Sequence, residues 1–212
     1  MRSFDNTVEL IGYYGSDEVI ALSAWTSTSR ELNDAKRARI PALLKQLWGA
    51  EPVPHGTPFE KASVHFLVTC DIASHIHLLK HRISSLNAES ARYKELKEDR
   101  YYIPEDWVGT GFAHRLNDLS RLSNELYHEA VKELSPKLGR KRAKESARYF
   151  KLYNSQITCD VQFNMRSFHN FLTQRMDDHA QIEIQRIAYK MLKSVKNIEG
   201  NPFQHTINAW GF

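Results

Sequence analysis

Fourteen residues, Lys80 to Tyr93 (KHRISSLNAESARY), limit where this chain can bury a core. Lys80, His81, Arg82 and Arg92 all donate hydrogen bonds to oxyanions, and Ser84, Ser85, Asn87 and Ser90 lie between them. A segment this polar belongs at a surface. Guanidinium forks take phosphate two bonds at a time, while hydroxyls and amides orient what the charges attract, so the stretch points to a phosphate-bearing ligand. On composition alone a solvated charged turn is the better reading.

The flanking pattern supplies the frame. Val8 to Tyr14 reads as a strand, and Glu18 to Trp25 as a short helix facing inward through Val19, Leu22 and Trp25. Ser27, Thr28 and Ser29 form a hydroxyl cluster that suits a cap or turn. Ile40 to Trp48 reads as a helix bracketed by Pro41 and Gly49. After a loop, Lys61 to Cys70 alternates Val64, Phe66, Val68 and Cys70 against Ser63, His65, Leu67 and Thr69, which predicts a strand.

Asp71 can cap a helix whose Ile72, Ile76, Leu79 and Ile83 face the core, with Leu86 to Tyr93 as a turn beyond it. Lys94 to Val108 is irregular and aromatic. Thr110 to Leu134 carries one apolar stripe, Phe112, Leu116, Leu119, Leu122, Leu126, Ala130 and Leu134, with Pro136 as its stop. Lys141 to Phe150 reads as a helix with Ala143, Ala147 and Phe150 inward, and Ile157 to Asn164 as a strand. Ala180, Ile184, Ile187, Met191 and Val195 mark the buried face of the last long helix, and the tail to Phe212 gives no signal.

At 212 residues the chain fits one domain, 1–212, and no Pro-, Gly- or Ser-rich linker divides it. No apolar run approaches the roughly 20 residues of a membrane span, and MRSFDNTVEL lacks the apolar core of a signal peptide. Two cysteines, Cys70 and Cys159, make no disulfide framework, so a cytoplasmic setting is expected. The net charge of +4 suits an anionic partner. The basic run Lys137 to Lys144 fits an exposed loop leading into a helix, or a nucleic-acid patch. His75, His77 and His81 raise a metal reading, but there is no His-Glu-x-x-His arrangement and no Cys nearby, so no metal is expected.

The spacing of His81, Arg82, Ser85, Asn87, Ser90, Arg92 and Tyr93 resembles the signature of flavin-dependent thymidylate synthases, with Lys80 in place of its first Arg. Three further segments resemble that family in order. They are His55, Thr57, Pro58, Phe59 and Glu60, then Asn164 to Arg175 (NMRSFHNFLTQR), then Ala180 to Glu183 (AQIE). The resemblance implies an α+β fold in which helices pack around a twisted, mainly antiparallel sheet. It also implies a homotetramer with shared active sites.

As activity it implies reductive methylation of dUMP to dTMP, with methylenetetrahydrofolate as carbon donor and FAD, reduced by NADPH, as hydride source. No cysteine nucleophile is needed. FAD would be held by Thr57, Lys80, His81, Arg82, Asn164, Arg166 and Asn170, with His55 and Glu60 in support. Ser90, Arg92 and Arg148, with Lys80, would hold dUMP, and Arg175 would contact the uracil and favour its ionised form, the catalytic role. Making C5 of uracil nucleophilic needs negative charge on the ring, and a fixed guanidinium stabilises it.

Departures from the family pattern fall at the base. His77 stands where Gln is usual, Ala88 where Glu is usual with Glu89 beside it, and Tyr149 to Leu152 replaces a Val-Leu-Pro-like turn. A flavoenzyme of the same fold acting on another deoxypyrimidine nucleotide is therefore an alternative. A basic nucleic-acid-binding protein without catalysis is another, although the aromatics mostly lie on apolar faces rather than between cations.

Overall fold

The alternation of the two central stretches does produce strands. In this computed structural model, which describes residues 4–29, 31–90 and 92–212, they are β2 (Ser63–Asp71) and β4 (Gln156–Asn164). The strands β1 (Thr7–Tyr14) and β3 (Ser85–Ala88) complete a four-stranded sheet in the order β1-β2-β4-β3. Eight helices accompany it among the described residues. They are α1 (Asp17–Trp25), α2 (Asp34–Trp48), α3 (Ile72–Leu79), α4 (Gly111–Leu138), α5 (Arg140–Ala147), α6 (Met165–Arg175), α7 (Ile182–Lys196) and α8 (Gln204–Trp210). This is the α+β class expected. Met1 to Ser3, part of the N-terminal reading, and Ala91 within the polar stretch lie outside the described residues. No helix among the described residues is long and apolar enough to cross a membrane.

Contacts cluster the chain into two compact units. The first comprises Val68–Lys80 and Asn87–Cys159 with the described residues before Val8. Its core joins α4 to α5 through Tyr127, Val131 and Ala147, with Tyr101, Ile103 and Ala113 as a second cluster. Lys151 is buried within it: Nζ donates to Asn124 Oδ1 at 2.6 Å, pairs with Asp99 at 3.4 Å and stands 4.4 Å from the centre of the Tyr127 ring. The second unit comprises Val8–Leu67, His81–Leu86 and Asp160–Phe212. There Asp17, at the start of α1, accepts from His205 N (2.8 Å), Thr206 N (2.9 Å) and Thr206 Oγ1 (2.6 Å). One carboxylate thus satisfies the open N–H groups at the start of α8.

Several sequence expectations are corrected. α2 starts at Asp34, capped by Asn33 at 3.0 Å, with Pro41 inside it, not opening it. α1 buries Asp17, Ile20 and Ala21, not Val19, Leu22 and Trp25. Asp71 caps α3 as expected, but the helix ends at Leu79 and turns Ser74, His75 and Leu78 inward, leaving Ile76, Leu79 and Ile83 exposed. Leu86 to Ala88, the first part of the expected turn, belongs to the strand β3. α4 runs through Pro136 to Leu138 and buries Ala113, Ser120, Ser123, Asn124, Tyr127 and Val131, so Phe112, Leu119 and Leu122 face outward. Phe150 is exposed, and Ala180 precedes α7. The hydroxyls of Ser27 and Thr28 bond back to Ala24 O and Trp25 O, which is the turn reading of that cluster.

Candidate active site

In the second unit the residues expected around a flavin come from the loop before β2, the start of β4-to-α6, and His81 to Arg82. Asn164 Oδ1 accepts from Ser167 N at 2.8 Å and so caps α6, which fixes the direction in which Arg166, Asn170 and Arg175 leave the helix. Arg166 Nη1 bonds Glu60 Oε1 at 2.8 Å. Gly56 permits this: a Cβ there would lie 2.7 Å from Arg166 Nε and 2.9 Å from its Cδ, so only glycine lets the arginine cross that loop. Asn170 accepts from Gln174 at 3.1 Å, and His55, Thr57 and Glu60 are exposed. The exposed Arg82 side chain makes no hydrogen bond or ion pair among the described residues.

His81 and Arg175 meet directly. Arg175 Nε donates to His81 Nε2 at 2.9 Å, and the buried imidazole stands edge-on to Phe171 with centroids 4.9 Å apart. An Nε2 that accepts leaves the ring proton on Nδ1. Burial holds the Arg175 guanidinium below the usual arginine range, which still leaves it charged at neutral pH. Arg175 is thus a cation held in place by a residue of the Lys80 to Tyr93 stretch.

The first unit carries the other residues expected at the nucleotide. Arg92 Nε donates to Glu145 Oε1 at 2.6 Å, and this bond holds the Glu145 carboxyl below its ordinary range. Ser90 Oγ accepts from Arg92 N at 3.3 Å. Lys80 and Arg148 are exposed, and neither side chain has a hydrogen-bonding or ionic partner among the described residues. Glu89 is already engaged: Oε2 accepts from Thr158 N at 3.0 Å and Oε1 from Lys94 Nζ at 2.6 Å, so its carboxylate closes the β3 to β4 edge. Ala88 is exposed and His77 half-buried. No group of three His, Cys, Asp or Glu among the described residues is placed to hold a metal, and the buried Cys70 and Cys159 form no disulfide. Sequence reasoning missed Gly56 and Glu145. Gly56 sits inside a matched segment and was open to notice, whereas nothing local marks Glu145.

The described residues thus form a four-stranded sheet and eight α-helices, with Arg175 bonded to His81 of the polar stretch. Residues 9–199 match the family model described as thymidylate synthase complementing protein. A flavin-dependent thymidylate synthase of Pseudothermotoga lettingae is 34% identical over 199 residues, covering 90% of this chain and 85% of the relative. One from Tropheryma whipplei is 31% identical over 185 residues, covering 80% and 75%. Among solved structures, a UMP/dUMP methylase, PolB, from Streptomyces cacaoi bound with 5-Br dUMP superposes with a TM-score of 0.78 at 26% identity, over 99% of this chain and 96% of the other. The chain belongs to the flavin-dependent thymidylate synthase family.

Proposed function

We propose that this chain, acting as a single functional domain, is a flavin-dependent thymidylate synthase that methylates C5 of dUMP to give dTMP. Methylenetetrahydrofolate gives the carbon, and bound FAD, once reduced by NADPH, supplies the hydride that completes the methyl group. The observation that carries the reading is Arg175 fixed on His81. A guanidinium held in place and partly withdrawn from water stabilises negative charge on a pyrimidine ring with no reorganisation during the reaction. Arg82 and Arg166, with Lys80, His55, Thr57, Asn164 and Asn170, offer the cations and amides that a flavin dinucleotide needs, and the Gly56 approach keeps Arg166 on that surface. Arg92, Arg148 and Ser90 are offered to the nucleotide phosphate and ribose. The outward stripe of α4, with Phe112, Leu119 and Leu122 exposed, supports assembly as a homotetramer, since an apolar face of this kind is ordinarily covered. A cytoplasmic location agrees with two cysteines that form no disulfide.

A second reading, methylation of another pyrimidine nucleotide, is favoured by two observations. The similar Streptomyces cacaoi methylase is also solved with 5-Br UMP, and His77 and Ala88 depart from the family pattern near the base. Purified protein supplied with FAD, NADPH and methylenetetrahydrofolate is incubated with dUMP or UMP, and the products are separated by mass. Conversion of dUMP to dTMP upholds the proposal, UMP conversion alone selects the second reading, and a preparation that takes up no flavin and methylates neither overturns both. His77→Gln in the same assay reports whether His77 sets the preference.

A further inference from the structure

Arg92 is bonded to Glu145 through Nε alone, and the carboxylate is only 17% exposed, so the guanidinium is fixed from one edge by a largely sheltered acceptor. Among the described residues its two terminal nitrogens take no other hydrogen bond or ion pair. A guanidinium can grip an anion side-on, with Nε and one Nη, or end-on, with both Nη atoms. Glu145 occupies the side edge and leaves the end.

The element carrying Glu145 is itself fastened to the same stretch. Lys144 Nζ donates to Tyr93 O at 2.6 Å, and Arg140 Nη2 to Glu95 Oε2 at 2.5 Å, so α5 lies along residues 92–95 at three successive points. Arg142 Nη1 stands 3.6 Å from the other Glu145 oxygen and restrains the carboxylate in turn. Arg148 follows at the end of the same helix.

We infer that Glu145 is a positioning residue that presents the end of the Arg92 guanidinium to the phosphate of the nucleotide substrate. This rests on the assignment of Arg92 to that phosphate. What matters is an acceptor at Nε, because the restraint is geometric; the carboxylate's negative charge works against phosphate binding. Glutamine therefore replaces glutamate, and methionine, of equal length but with only a weakly accepting sulfur, does not.

The test compares dUMP affinity, from the perturbation of the flavin spectrum, for the wild type, Glu145→Gln, Glu145→Met and Arg92→Ala. Glu145→Met is expected to weaken dUMP roughly tenfold, the worth of one oriented charge-assisted bond, with KM rising and kcat held. Glu145→Gln should stay within about twofold, and deoxyuridine, which lacks the phosphate, should bind all three Glu145 forms alike. Tighter dUMP binding by both Glu145 variants would make Glu145 a competitor for Arg92 and overturn the inference, as would an unchanged Glu145→Met. Should Glu145→Met fail to fold, Glu145→Gln decides alone, and a change beyond about fivefold in either direction overturns it. An unchanged Arg92→Ala removes the phosphate assignment itself, whatever the Glu145 variants do.

Discussion

The imidazole of His81 accepts a hydrogen bond from the guanidinium of Arg175, 94 positions later in the chain, at 2.9 Å. One residue assigned to the flavin therefore holds the residue assigned to the pyrimidine. His81→Phe keeps the ring's bulk against Phe171 but removes the acceptor. Since a reacting group displaced by about 1 Å costs on the order of 100-fold, kcat per bound flavin should fall about that much in His81→Phe. Glutamine, whose carbonyl can accept from Nε, should recover part of it. If activity falls only in proportion to flavin lost from the protein, His81 has no hold on Arg175.

Gly56→Ala tests the loop before β2. Its Cβ would stand 2.7 Å from Arg166 Nε, and the flexible arginine is the group that yields. Displacing it breaks the 2.8 Å pair with Glu60, while the fold keeps its core. Flavin affinity should drop roughly tenfold, about 1.4 kcal/mol, with the urea midpoint little changed. Equal flavin affinity would take Arg166 out of the cofactor site.

The residues just tested differ in how far the sequence announces them. His81 and Arg175 lie in segments whose order and spacing are local, so each is visible without knowing that the two touch. Glu145 acts through a bond to a residue 53 positions earlier, and no nearby pattern marks it. The four residues of β3 carry no alternating pattern, whereas β2 and β4 were legible because inner and outer positions alternate over most of their length. The inner faces of α3 and α4 were not, because an apolar stripe reads the same whether its own chain or nothing in that chain covers it. α4 turns inward a polar side that long-range bonds satisfy, Ser123 Oγ to Phe150 O at 2.6 Å and Asn124 Nδ2 to Asp99 O at 3.1 Å. α8, drawn from a tail without periodic signal, is held by Asp17 near the other end of the chain.

Lys151 falls in the Tyr149 to Leu152 departure from the family pattern, and its side chain is only 5% exposed. Burial pushes its ammonium below the usual lysine range, while Asp99 opposes that shift. Removing the amine leaves Asn124 Oδ1 without its donor and takes from Asp99 one of two partners, the other being His128. Lys151→Ala should cost about 2 to 3 kcal/mol in urea unfolding. Lys151→Met, which keeps the stem over Tyr127, should cost less. Equal losses for the two would assign the whole effect to the amine and none to the packing of the stem on Tyr127.

His169 gives the fold an acid weakness. Its ring sits among Trp48, Trp210 and Phe212, with centroids 4.3, 5.2 and 5.8 Å away, and burial lowers its pKa from 6.5 to about 4. Above pH 6.5 the imidazole is neutral whether the chain is folded or not, and its packing contributes fully. As pH falls from 6.5 toward 4, the unfolded chain takes up a proton that the folded chain refuses, so stability is lost across that window. The ring is only half-buried, so solvent screening reduces the effect to about 1 to 2 kcal/mol. His169→Phe keeps an aromatic ring there and has nothing to protonate. The stability difference between wild type and His169→Phe, from urea unfolding at pH 7.5 and pH 4.5, should move against the wild type by about that amount on acidification. A difference that stays constant with pH would mean that His169 takes up its proton as readily folded as unfolded.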